Sequence, residues 1–271
     1  MTIENKNVLV TGANRGIGKA LADEALARDA KHVYAGTRQT LTHPDPRVTP
    51  LMLDVTNPTQ VQAAASEVES LDILINNAGI MLADDPLNFA ALERHLAVNL
   101  FGSNAMTQAF LPALISSRGA VINLLSCVAL APLPMFTSYS ISKAAAFSLT
   151  KTLRALHAAQ GVTFHAVLAG PIDTDMTRAL EIPKVSPATV ARAIFDAVEN
   201  GDEDIFPDPA TASLAEAWAA GADKVLEGSS RNSCQQWLPG DEQHSDPQSH
   251  RRRAASSFCQ VVLDLAEASN C

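Results

Sequence analysis

Short apolar runs rich in β-branched residues alternate with helical patterns along the first 206 residues, and this alternation narrows the fold more than any other feature of the chain. "NVLVTG" (7–12), "HVYAGT" (32–37), "VTPLMLDV" (48–55), "LDILINNAG" (71–79), "GAVINLLS" (119–126), "VTFHAVLAG" (162–170) and "EDIFP" (203–207) read as strands. Between them, 19–30, 58–70, about 87–114, 138 to about 159 and 187–200 carry apolar residues at helical period. Strands apolar on both faces and separated by helices imply a parallel sheet covered on both sides. With right-handed crossovers this is a doubly wound, Rossmann-type α/β fold. One connection differs. "TRQTLTHPDPRV" (37–48) holds prolines that leave no room for a crossover helix, which predicts an extended loop.

The 271 residues suffice for a single domain, read as 1–227. Beyond it, 228–271 is polar, poor in aliphatics and broken by Gly and Pro, which predicts a disordered, irregular tail. Within the tail, Arg251–Arg253 reads as a solvated charge run, and "QVVLDLAEA" (260–268) as a short amphipathic helix. A formal charge of −9 speaks against nucleic acid or an anionic membrane as the main partner. The first residues lack a basic start followed by an apolar run, and no window approaches the roughly 18 apolar residues of a membrane span. Cys127, Cys234, Cys259 and Cys271 show no metal or redox spacing, and the histidines are scattered singly. The expected setting is cytoplasmic, with free thiols and no metal site.

"TGANRGIGKA" joins the first strand to the first helix, with Gly12, Gly16 and Gly18 spaced Gly-x-x-x-Gly-x-Gly. A pyrophosphate site needs a tight turn, a close backbone approach and open amides at a helix start, and this context supplies all three. The second strand ends in "AGTRQ", without the carboxylate that would take a ribose 2′-hydroxyl. Arg38 stands there instead, with Arg15 of the glycine turn as a second candidate. Two guanidinium groups suit a 2′-phosphate, favouring NADP(H) over NAD, although both also fit as plain surface arginines. Tyr139 lies four residues before Lys143 on one helix face, where a phenol and a cation can interact. That pair alone does not separate a solvated pair from a proton-transfer group.

The order of Gly-x-x-x-Gly-x-Gly, "LDVT" (53–56), "NNAG" (76–79), Asn99, Ser126, Tyr139-x-x-x-Lys143 and "AGPIDTDM" (169–176) resembles the short-chain dehydrogenase/reductase family over about residues 5 to 226. The resemblance implies an oxidoreductase that moves a hydride between NADP(H) and a carbonyl or secondary alcohol carbon. It implies that Tyr139 is the general acid or base and that Lys143 charges its surroundings and binds the nicotinamide ribose. Ser126 would polarise the carbonyl, and Asn99 would order a water that relays protons through Lys143. On the cofactor side it implies Gly12, Asn14, Arg15, Gly16, Ile17 and Gly18 at the phosphates, and Asp54 and Val55 at the adenine. Asn77, Ala78 and Gly79 would lie beside the adenine ribose, with Ile172 and Thr174 at the carboxamide, while Asn76 ties strands together. The family usually shows Pro-Gly before this last loop, where the present chain has Ala169-Gly170-Pro171. A homodimer or homotetramer is implied as well.

Specificity in the family resides near 128–136 and 175–186, which here are short and mostly apolar. A compact apolar carbonyl or alcohol is the expected substrate. The competing reading is a catalytically silent sensor or scaffold that keeps the fold and the NADP(H) site. An intact Ser126, Tyr139 and Lys143 count against it, because a sensor has no need of an acid.

Overall fold

The computed structural model describes residues 1–82 and 88–221. Seven strands form one parallel sheet: β1 Asn7–Thr11, β2 His32–Thr37, β3 Val48–Met52, β4 Ile73–Asn76, β5 Ala120–Leu124, β6 Thr163–Val167 and β7 Asp204–Ile205, in the order β3-β2-β1-β4-β5-β6-β7. The connections are helical: α1 Gly16–Ala27, α2 Pro58–Glu67, α3 Phe89–Leu96, a π-helical stretch Ala97–Gly102, α4 Ser103–Ser117, α5 Thr137–His157, α6 Pro187–Asn200 and α7 Pro209–Ala219. The chain reverses its winding between β1 and β4, and the carboxyl ends of these strands flank the crevice where such sheets bind ligands.

Every residue of β1, β4 and β5 is buried because both faces are covered. Side chains alternate between the faces at period two. Val8, Val10, Ile73, Ile75 and Ile122 pack against Leu21, Ala22 and Ala25 of α1 and Ile194 and Phe195 of α6. Leu9, Leu74, Val121 and Phe164 face Val61 of α2 and Met106, Phe110 and Leu114 of α4.

No helix connects β2 to β3, as the prolines of 37–48 predict, and β3 is an edge strand that tolerates Pro50 within its ladder. Two elements differ from the sequence expectation. The helix expected over about 87–114 is interrupted by six π-helical residues, which the apolar period does not reveal. Its expected start at Leu87 lies outside the described residues. The helix α7 went unread, although Asp208 caps it through the amides of Ala210 and Thr211, with Pro209 following, a recognisable start signal. The tail, with Cys234, Cys259, Cys271 and Arg251–Arg253, lies outside the described residues. Among the described residues, no helix is long and apolar enough to cross a membrane.

Candidate active site

A cleft of about 1210 Å³ opens at the carboxyl ends of the central strands. One end is the turn after β1. Gly12 (φ +70°) and Gly16 (φ +55°) occupy the left-handed region that favours glycine. A Cβ on Gly18 would sit 2.2 Å from the Gly12 carbonyl oxygen and 2.4 Å from Asn77 Nδ2, so α1 can start this close to the turn only with glycine there. No side chain caps the first turn of α1, and Gly16, Ile17 and Gly18 line the cleft, where open helix-start amides suit a phosphate. Asn77 braces the turn by donating through Nδ2 to the carbonyls of Thr11 (2.7 Å) and Gly12 (3.2 Å). Thr11 Oγ1 in return accepts from the amides of Asn77 and Ala78.

Asn14, Arg15 and Arg38 line the same end. Arg15 donates 2.8 Å to Asp175, which also pairs with Arg178, so the glycine turn is bridged to the loop on the far side of the cleft. Arg38 lies near enough to Asp54 to stabilise its carboxylate. The hydrogen bonds from Thr56 do more to hold the Asp54 pKa below its ordinary value. Val55 is buried beside them, and its Cγ2 lies 2.6 Å from where a Cβ on Gly102 would stand.

Ser126, Tyr139 and Lys143 meet at the other end. Ser126 follows β5, and its Oγ donates to the Ala169 carbonyl (3.3 Å) and accepts from the Val128 amide. Tyr139 and Lys143 rise from the first turns of α5, the Lys143 ammonium 5.6 Å from the phenol ring centroid. Lys143 Nζ donates to the Leu124 carbonyl at 2.6 Å. Both side chains are buried. Burial pushes the Tyr139 phenol up to about 12, with the neighbouring Ser126 hydroxyl acting the other way. Burial also pulls the Lys143 ammonium down to about 8. Desolvation therefore dominates both groups: the phenol keeps its proton at neutral pH, and the ammonium is close to losing one.

Asn99 lies behind this wall, within the π-helical stretch, and does not line the cleft. Its Oδ1 accepts from the Ile80 amide (2.9 Å), and its Nδ2 donates to the Ile80 carbonyl (3.0 Å) and to Ser142 Oγ (2.9 Å). The side-chain amide is thus committed to the protein, and it fixes Gly79 and Ile80 at the cleft edge. His95, one helical turn earlier and fully buried, extends the same clamp. Its Nδ1 donates to the Ala91 carbonyl, and its Nε2 accepts from the Leu82 amide. A lone histidine in a helical pattern offered no signal of this role. Asn76 stays out of the cleft, joining β4 to β5 through Asn123 Oδ1 (2.9 Å) and reaching Thr107 of α4.

The remaining wall is the loop after β6, which carries Ile172 and Thr174 into the cleft. Its two ends are joined by a parallel bridge between Ile172 and Val185. Thr177 Oγ1 donates to the Ile172 carbonyl and pins the inner turn. Met81, Leu133, Met135, Phe136, Leu180 and Ile182 give the mouth beside Tyr139 an apolar lining.

Residues 6–184 match the family model described as short chain dehydrogenase. The chain is 32% identical over 197 residues to a 3-oxoacyl-(acyl-carrier-protein) reductase FabG of Salmonella typhimurium, covering 66% of this chain and 79% of that one. It is 37% identical over 186 residues to the short-chain dehydrogenase PC-15 of Penicillium crustosum, covering 64% and 68%. Among solved structures, a short chain dehydrogenase from Burkholderia cenocepacia in complex with NADP shares 39% identity, with a TM-score of 0.78 over 84% of this chain and 98% of that one. ElxO with NADP bound shares 25%, with a TM-score of 0.68 over 77% and 99%. With the match spanning β1 to the loop that forms one wall of the cleft, the chain belongs to the short-chain dehydrogenase family of oxidoreductases.

Proposed function

We propose that this protein is an NADP(H)-dependent oxidoreductase that reduces the carbonyl of an apolar substrate, or oxidises the matching secondary alcohol, with Tyr139 handling the proton. The observation that carries this reading is the convergence of Ser126, Tyr139 and Lys143 on one end of a cleft whose other end is the glycine turn. Two relatives of known structure hold NADP, and the residues here suit it. The uncapped first turn of α1 presents Gly16, Ile17 and Gly18 to the cleft, and the end of β2 offers Arg38 in place of a carboxylate. Gly12, Asn14, Gly16, Ile17 and Gly18 would hold the pyrophosphate and Arg38 the 2′-phosphate. Arg15 would join Arg38 by exchanging its Asp175 partner for phosphate. Asp54, Val55, Asn77, Ala78 and Gly79 would surround the adenosine, with Ile172 and Thr174 at the nicotinamide. Bound NADPH supplies the hydride.

The protein's own part is to orient and to move a proton. Ser126 Oγ offers a hydrogen bond to the substrate oxygen as negative charge builds on it. Tyr139, kept protonated by burial, donates from its hydroxyl to that oxygen, which becomes more basic than a phenolate as the alcohol forms. The Lys143 cation stabilises the charge the phenol acquires, and a proton taken up from solvent restores the hydroxyl. Asn99 holds Ile80 and, through Ser142, ties α5 to the same frame, and in this reading it would order a water that relays protons through Lys143. The apolar mouth excludes water from this step. The other parts of this reading are a cytoplasmic setting with Cys127 as a free thiol and a homodimer or homotetramer.

Calorimetry with NADPH and NADH, on wild type and on Arg38→Ala, tests the cofactor. NADPH is expected to bind the tighter, and the variant to lose that preference. Tyr139→Phe tests the chemistry: turnover falls by 10²-fold or more while NADPH still binds. A sensor would keep its function in that variant.

A further inference from the structure

We infer that Asp208 is a positioning residue for the nicotinamide end of the cleft. The inference rests on the reading that the loop carrying Ile172 and Thr174 meets the nicotinamide. Asp208 precedes α7 and is 3% exposed. Its Oδ1 accepts from the amides of Ala210 (3.1 Å) and Thr211 (3.2 Å), the usual work of a helix cap. Its Oδ2 does something else: it accepts from the Gly170 amide at 2.8 Å, thirty-eight residues away in sequence, and from Thr211 Oγ1 at 2.9 Å. One buried carboxylate thereby fastens α7 to the first turn after β6.

The fastening sits at the neck of the loop. On one side of Gly170, Ala169 receives Ser126 Oγ and the Cys127 amide on its carbonyl. On the other side, Pro171 and Asp173 pair with Val185 to close the loop on itself. Gly170 is glycine because α7 comes this close: a Cβ there would lie 2.9 Å from Asp208 Oδ1, 3.4 Å from Thr211 Cγ2 and 3.5 Å from Ala210 Cβ. The Asp208 carboxylate restrains this turn from outside it.

Asp208→Asn separates the two duties. An asparagine offers one acceptor oxygen, enough to cap α7 but not also to receive Gly170, toward which it would turn a second donor. The test is calorimetric binding of NADPH and of adenosine 2′,5′-bisphosphate, which lacks the nicotinamide half. Asp208→Asn is expected to weaken NADPH about tenfold and leave the bisphosphate unchanged. Gly170→Ala, which strains the same junction from the loop side, is expected to do likewise and serves if the first variant does not fold. Equal losses for both ligands would mark Asp208 as a general structural prop and overturn the proposal, as would no loss for either. Thr174→Ala tells apart the two ways of failing. If it weakens NADPH while Asp208→Asn does not, Asp208 alone loses its role. If it too leaves NADPH binding intact, the assignment of the loop falls and the proposal falls with it.

Discussion

At the scale of single residues, burial moves Tyr139 and Lys143 in opposite directions. Desolvation disfavours charge on both, so it raises the phenol and lowers the ammonium. The raised phenol suits the acid of a reduction, since it holds its proton until a stronger base appears. The lowered ammonium sets an alkaline limit: above about pH 8 Lys143 loses its charge, and reductive turnover is expected to decline through that value. Stability carries the same imprint with a definite sign. An unfolded chain keeps the Lys143 proton up to about 10.5, the ordinary lysine value, whereas the folded one sheds it near 8. Between these values the unfolded state binds more protons, so Lys143 makes the native state more stable as pH rises. Tyr139 acts in reverse above about 10, where the unfolded phenol ionises and the folded one does not. The expected outcome is a urea midpoint that rises from pH 8 to 9.5 in wild type relative to Lys143→Met. Parallel pH profiles for the two proteins would contradict it.

At the scale of elements, the glycine turn and the π-helical stretch shape the cleft. A helix period predicts where apolar residues recur, but one added residue per turn leaves that pattern nearly intact while redirecting the side chains beyond it. Asn99 reaches Ile80 from within that irregular segment, and Gly102 at its end lets Val55 approach. The sequence marks Asn99 through family resemblance alone, and its committed amide follows from contacts between elements far apart in the chain. The glycine turn is the opposite case, because its demands are local and each glycine is visible at its place. Gly18→Ala tests this directly. With its Cβ only 2.2 Å from the Gly12 oxygen, the turn must shift. NADPH affinity is expected to fall more than tenfold in calorimetry, and urea unfolding to show a loss of about 1–3 kcal/mol.

For the whole molecule, the sheet brings distant parts of the chain to one crevice and leaves apolar side chains on helices that face outward. Phe101 is 61% exposed at the end of the π-helical stretch, and Ile141 on α5 is 45% exposed. Side chains of this size exposed on neighbouring elements suit an interface between copies of the chain. Sedimentation of wild type is expected to show a dimer or tetramer, and Phe101→Glu a shift toward monomer with unchanged circular dichroism. A wild-type monomer would remove the oligomer from the reading. The strand–helix alternation, the glycine turn and the Tyr139–Lys143 spacing were legible from the sequence because each depends on neighbours within about one turn or one strand. The roles of Asp208 and His95 were not, nor were the side-chain partners of Asn99 or the pairing of Arg15 with Asp175. Each of these arises where two segments with no local relation are pressed together, and only the folded sheet determines which segments meet.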